Sequence, residues 1–196
     1  MLFSRTTYLI KEHVGLMKLT QNYDILDAAT GQQIGIAREE PGDLIKYIRI
    51  VLGKRWLPTT VNFYESDGGR ALLSIHRGVR LLRARVTVSK EGQFLGTFQA
   101  KVFSIGGAFR VLDAQERDVA LIKGDWKGWN FVMTSASGEE LGRVTKKWAG
   151  IGKELFTTAD NYVVSLAPRA AGDPTVGPLL LAAGVAIDTV FKEDND

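Results

Sequence analysis

The stretch PLLLAAGVAIDTVF, residues 178–191, decides the fold. It is apolar on nearly every side of a helix, and Pro178 stands where a first helical turn tolerates proline. At 1.5 Å per residue its length is about 21 Å, short of the roughly 30 Å hydrocarbon core of a bilayer. A helix apolar all round and too short to span is expected to be buried inside protein. Asp188 is its one acid, a turn from the end, where it can reach the mouth of an enclosure or a backbone donor. The rest of the chain must therefore supply walls.

Those walls are legible upstream as five hairpins: YDILDAATGQQIGIA (23–37), NFYESDGGRALLSI (62–75), VTVSKEGQFLGTFQ (86–99), FRVLDAQERDVALI (109–122) and FVMTSASGEELGRV (131–144). Each is a β-type run, a turn and a second run, with turn centres near Gly31, Gly68, Gly92, Glu116 and Gly138. Alternation follows period two: Leu82, Ala84, Val86 and Val88 against Arg83, Arg85, Thr87 and Ser89. In the next run Phe94, Gly96, Phe98 and Ala100 are expected on the inward side. Ten or more antiparallel strands leave costly open edges unless the sheet closes. The expectation is a mainly β, single-domain chain over 1–196, a closed barrel of about twelve strands over 1–168 around the buried helix at 178–191. One more helix is expected between Pro41 and Pro58, from the stripe Leu44, Ile45, Ile48, Val51 and Leu52.

Of 196 residues, 45% are hydrophobic and 24% charged, which excludes a disordered chain and a bulk membrane protein. Without cysteine there is no disulfide scaffold, thiolate metal site, thiol nucleophile or acylation site. The two histidines, His13 and His76, are far apart. Gly106-Gly107 reads as a turn, since no Lys-Ser/Thr helix follows it, and no nucleophile-elbow, phosphate-loop or dinucleotide pattern is present. An enzyme is the least supported class. Met1 to Arg5 lead into no apolar targeting segment, so the expected location is the cytoplasm, with peripheral contact at the inner membrane face.

With 25 Lys+Arg against 22 Asp+Glu, the net charge of +3 permits an anionic partner without requiring one. The first candidate surface is the amphipathic segment 43–56, where Lys46, Arg49, Lys54 and Arg55 lie off the apolar stripe and Trp56 follows, a residue suited to headgroup depth. Its plain alternative is a helix on the barrel with solvated cations. The second is Arg77, Arg80, Arg83 and Arg85, able to grip phosphate by bidentate hydrogen bonding. The alternative there is a strand face paired with neighbouring carboxylates. A third group, Arg143, Lys146, Lys147 and Lys153 around Trp148, has barrel packing of Trp126, Trp129 and Trp148 as its alternative. His76 reads as a half-exposed strand residue.

The stretch TKKWAGIGKELFTTADNYVVSLAP (145–168), followed by PLLLAAGVAIDTVFKE (178–193), resembles the C-terminal part of the phospholipid scramblase family. The hairpin spacing resembles the wider tubby-like superfamily, including LURP-one-related members and small bacterial relatives. The resemblance implies a twelve-stranded barrel around a C-terminal helix, and a basic surface for phosphoinositides. The family's calcium segment would map onto 158–169, where Asp160 and Asn161 match. Thr158 and Arg169 stand where that pattern has aspartates. A calcium site wants six to eight hard oxygens, so no metal or other cofactor is expected. If Tyr162, Val164 and Leu166 face inward, Asp160-Asn161 is simply the entry to the last strand. The functional expectation is non-catalytic, peripheral binding of anionic phospholipid or phosphoinositide headgroups. Lipid scrambling, or a scaffold for nucleic acid or a protein partner, are the alternatives.

Overall fold

Twelve antiparallel strands form a closed barrel in a computed structural model of the protein, which describes residues 1–13, 20–42, 45, 48, 57–78, 85–101, 107–125, 128–146 and 161–191. The strands are β1 (Thr7–Glu12), β2 (Asn22–Asp27), β3 (Gln33–Glu39), β4 (Thr59–Tyr64), β5 (Leu73–Arg77) and β6 (Arg85–Lys90). They continue as β7 (Gln93–Ala100), β8 (Ala108–Leu112), β9 (Asp118–Asp125), β10 (Asn130–Ser135), β11 (Glu140–Thr145) and β12 (Asn161–Leu166). Each pairs with its sequence neighbours, and β1 against β12, from Thr7↔Ser165 to Lys11↔Asn161, closes the ring. Closure leaves no strand edge open.

Turn chemistry sets the five hairpins. All five expected turn centres hold a positive φ, from 60° at Glu116 to 85° at Gly138. Between Lys90 and its partner Gln93 only Glu91 and Gly92 remain, at φ 50° and 83°. That is a two-residue mirror-image turn, whose twist matches the strands.

The expected alternation fails at Phe94, for a physical reason. Phe94, expected on the inward side, is 44% exposed. Val88 pairs with Gly96 but Ser89 with Phe94, so Leu95 is an extra residue and the phase of β7 flips there. The same bulge recurs at Ile34 in β3, Val119 in β9 and Leu141 in β11. In three of these hairpins a glycine follows the extra residue, and at Gly142 the reason is space. A Cβ there would overlap Leu180 Cδ2 and lie 2.5 Å from the Ser165 carbonyl. Gly142→Val is expected to cost at least the 1–3 kcal/mol typical of overpacking, whereas Gly42→Ala, with nothing within 4 Å, is expected to stay within about 0.5 kcal/mol of wild type. Paired thermal melts check both.

The C-terminal helix, Val176–Phe191, begins two residues before the expected start. Asp173 Oδ1 accepts from the backbone N–H groups of Thr175 (2.8 Å) and Val176 (3.1 Å), which satisfies donors the helix leaves open. The helix packs against β11 and β12 and also against β5, β6 and β7 across the ring, so it fills the barrel axis. Leu179 to Ala183 and Val185 to Thr189 are all buried, and those up to Ile187 form one cluster with inward residues such as Phe63, Val88, Phe98, Phe131 and Tyr162. At about 1.5–3 kcal/mol for each large apolar side chain, this contact dominates the core. Among the described residues, no helix is long and apolar enough to cross a membrane.

Strand direction gives the barrel two unlike ends. The five hairpin turns and the start of the helix lie at one. From the other leave the connections 13–21, 40–58, 78–84, 101–107, 126–129 and 146–160, and there the helix ends, with Asp188 beside Tyr23 and Thr189 beside Arg77.

Candidate functional site

Charge is distributed unevenly between these ends. On the wall and at the hairpin end, arginines are matched by carboxylates: Arg38 with Asp67 (2.5 Å), Arg110 with Asp118 (2.6 Å), Arg117 with Asp113 (2.8 Å), Arg143 with Glu140 (2.8 Å), Arg169 with Glu139 (2.8 Å), and Arg85 with Glu116. Hydrogen bonds from Arg38 and Arg110 hold the carboxyls of Asp67 and Asp118 below the usual carboxylate range. The six connections of the opposite end read differently. Their sequences hold twelve Lys and Arg against four Asp and Glu, and all four tryptophans, Trp56, Trp126, Trp129 and Trp148.

The described side chains at that end form a buried polar collar around the helix terminus. Tyr23 Oη donates to Asp188 Oδ2 at 2.8 Å, and Asp188 is 3% exposed. Burial, reinforced by the Asp188 charge, pushes the phenols of Tyr23 and Tyr162 well above their ordinary value. Trp129, held at φ 47°, stacks at a tilt on Tyr162 and edge-on to Phe131, and Lys146 Nζ lies 4.4 Å from its ring centroid. Barrel packing is therefore the role of Trp129.

Arg77 is a correction. Read as one of a basic surface cluster, it is instead 4% exposed, inside the barrel mouth. Its Nη1 donates to the Thr189 carbonyl at 3.0 Å, and Nη2 to the Leu57 carbonyl (3.4 Å) and Thr59 Oγ1 (3.3 Å). A cation at a helix C-terminus meets the negative end of the dipole and satisfies carbonyls the helix leaves open. Its place in β5 puts it opposite Thr59 and facing the axis. Arg85, from the same cluster, is on the outer face and ion-paired with Glu116 from the β8–β9 turn.

Lys46, Arg49, Lys54, Arg55, Trp56, Arg80, Arg83 and Asp160 lie outside the described residues. Within the expected segment 43–56, the described Ile45 and Ile48 are helical and half-buried. Asn161 is the first residue of β12, opposite Lys11, and is buried. His76 is exposed, its Nδ1 2.9 Å from Thr60 Oγ1. The collar of Tyr23, Tyr162, Arg77 and Asp188 draws on residues up to 165 positions apart. Only the lone acid in the apolar run hinted at it.

A twelve-stranded antiparallel barrel threaded by its own C-terminal helix, with basic and tryptophan-rich connections at the end where that helix stops, defines a class of protein. The Scramblase family model matches residues 17–194, and the chain belongs to that family. The barrel agrees with the tubby-like superfamily. Membership points to a lipid-related function in a family that is generally non-catalytic. No curated protein and no solved structure matches the chain.

Proposed function

We propose that the protein binds anionic phospholipid or phosphoinositide headgroups peripherally, at the cytoplasmic face of a membrane, through the connections opposite the hairpin turns. The observation that carries this reading is the asymmetry of charge: wall arginines have carboxylate partners, while the excess of Lys and Arg, with Trp56, Trp126 and Trp148, falls in the sequences of those connections. Each Lys or Arg near an anionic leaflet contributes about 1 kcal/mol, and the attraction fades within a Debye length. Scrambling by a spanning helix is disfavoured, because the apolar helix is already occupied as barrel filling.

Liposome flotation tests the reading. Phosphatidylserine or phosphoinositide vesicles are expected to carry the protein at about 50 mM salt and to lose most of it near 0.5 M, where the Debye length falls below about 5 Å. Electrically neutral vesicles of phosphatidylcholine bind poorly throughout. Replacing Lys46, Arg49, Lys54 and Arg55 together by Gln is expected to weaken binding about a hundredfold or more and to leave the melting temperature unchanged. Flotation indifferent to salt and lipid charge would mean that these cations are only solvated surface. Tight, steeply salt-dependent capture of duplex DNA without vesicle binding would favour a nucleic-acid scaffold.

A further inference from the structure

A cleft of about 770 Å³ lies on the outer wall of the barrel, across β2 and β3 beneath the β4–β5 turn. Its volume falls in the range of small-molecule sites. Its origin is local. The bulge at Ile34 twists β3, and the β4–β5 turn, eight residues long, overhangs the strands and is strapped down by Arg38 on Asp67. Ile36, 8% exposed, is an apolar residue of the outer face and forms part of the lining. At one end Asp24 has both oxygens engaged, by His13 Nε2 (2.8 Å) and Gln33 Nε2 (3.3 Å). At the other end the groups are only half engaged. Arg38 gives Nη1 to Asp67, and its Nε and Nη2 meet no acceptor among the described residues. Glu65 accepts the Leu2 backbone N–H at Oε1 (2.6 Å), 3.5 Å from the terminal ammonium, and its Oε2 meets no donor among the described residues. Unused donors of a cation and an unused carboxylate oxygen thus line one concave site, and their complement carries both charges.

We propose that this cleft binds a small zwitterion, with an anionic group received by the unused edge of Arg38 and an ammonium group by Glu65 and Asp67. A guanidinium edge takes phosphate or carboxylate by two parallel hydrogen bonds, and carboxylates take an ammonium as a point charge. The ligand is an amino acid or amino-phosphate, free or as the headgroup of a lipid. The site is on the barrel wall and does not depend on the membrane reading above.

Titration calorimetry with O-phosphoethanolamine as probe tests it, with inorganic phosphate and ethanolamine as separate halves. Saturable binding at least about tenfold tighter than either half is expected, weakened about tenfold or more by Arg38→Gln and by Glu65→Gln. Arg38 is solvent-exposed in an exposed ion pair, so the Gln variant is expected to melt close to wild type. A second arm uses vesicles of phosphatidylethanolamine against phosphatidylcholine, both electrically neutral. Arg38-dependent flotation on the first alone assigns a lipid headgroup, and calorimetric binding without flotation assigns a free solute. Failure to saturate with about 20 mM probe, phosphate binding as tightly as the zwitterion, or an unaffected Arg38→Gln variant would each overturn the site.

Discussion

Ala183→Asp is expected to leave no folded barrel at room temperature, and removal of residues 178–196 is expected to yield insoluble or molten protein. Ala183 is 1% exposed and faces Phe98, Phe109 and Ile122 with Ala186 and Ile187 beside it. A carboxylate placed among those groups has neither a donor nor water, and even its neutral form buries an unpaired polar group. Isolated burial of that kind costs several kcal/mol, on top of the strain of extra atoms. Native domains hold only about 5–15 kcal/mol in total, so one substitution consumes most of it. Deletion acts through the walls instead. Inward residues such as Phe63, Phe98, Phe109 and Phe131, each at most 2% exposed, would face an empty axis. Near-UV circular dichroism, gel filtration and a thermal melt read the outcome. A soluble truncated protein with an unchanged melting midpoint would contradict the central role of the helix.

Why the helix was legible and its surroundings less so follows from range. An apolar run too short to span a bilayer needs only local counting, and turn centres need only residue types that tolerate positive φ. Both survive into the structure, down to Glu116 as a non-glycine centre at φ 60°. Bulges are different, because an extra residue such as Leu95 is defined by what Val88 and Ser89 pair with across the turn. Even so, the sequences QQIG, QFLG and EELG each place a branched apolar residue before glycine, and that repeat was the available signal. Arg77 was misread because local alternation with His76 reveals no direction. Strand phase, set by β4 and by the helix end 112 residues later, turned it inward. The partners of Arg85 and Arg38 lie 31 and 29 positions away in neighbouring turns, beyond any local pattern. Surface charges are legible one by one, whereas their pairing belongs to the closed sheet.

Arg77→Met is expected to lower stability by about 2–4 kcal/mol while leaving the membrane association of folded protein unchanged. Methionine is shorter than arginine but close to it in volume and tolerated in irregular gaps, so the loss is mainly electrostatic rather than volumetric. Without the guanidinium, the buried Thr189 carbonyl and the part-buried Leu57 carbonyl lose donors, at about 1–3 kcal/mol for a buried group left unsatisfied. The helix dipole loses its counter-charge as well, a smaller contribution of up to about 2 kcal/mol in a partly buried setting. For a chain of this size the midpoint is expected to fall by roughly 5–15 °C, at about 2–4 °C per kcal/mol. Arg77→Lys keeps the charge but not the fork that reaches several oxygens, so its midpoint is expected between the two. Flotation on anionic vesicles, measured well below the lowered midpoint, separates this role from that of a surface cation. An Arg77→Met protein that melts like wild type but no longer floats would place Arg77 among the headgroup ligands and not at the helix end.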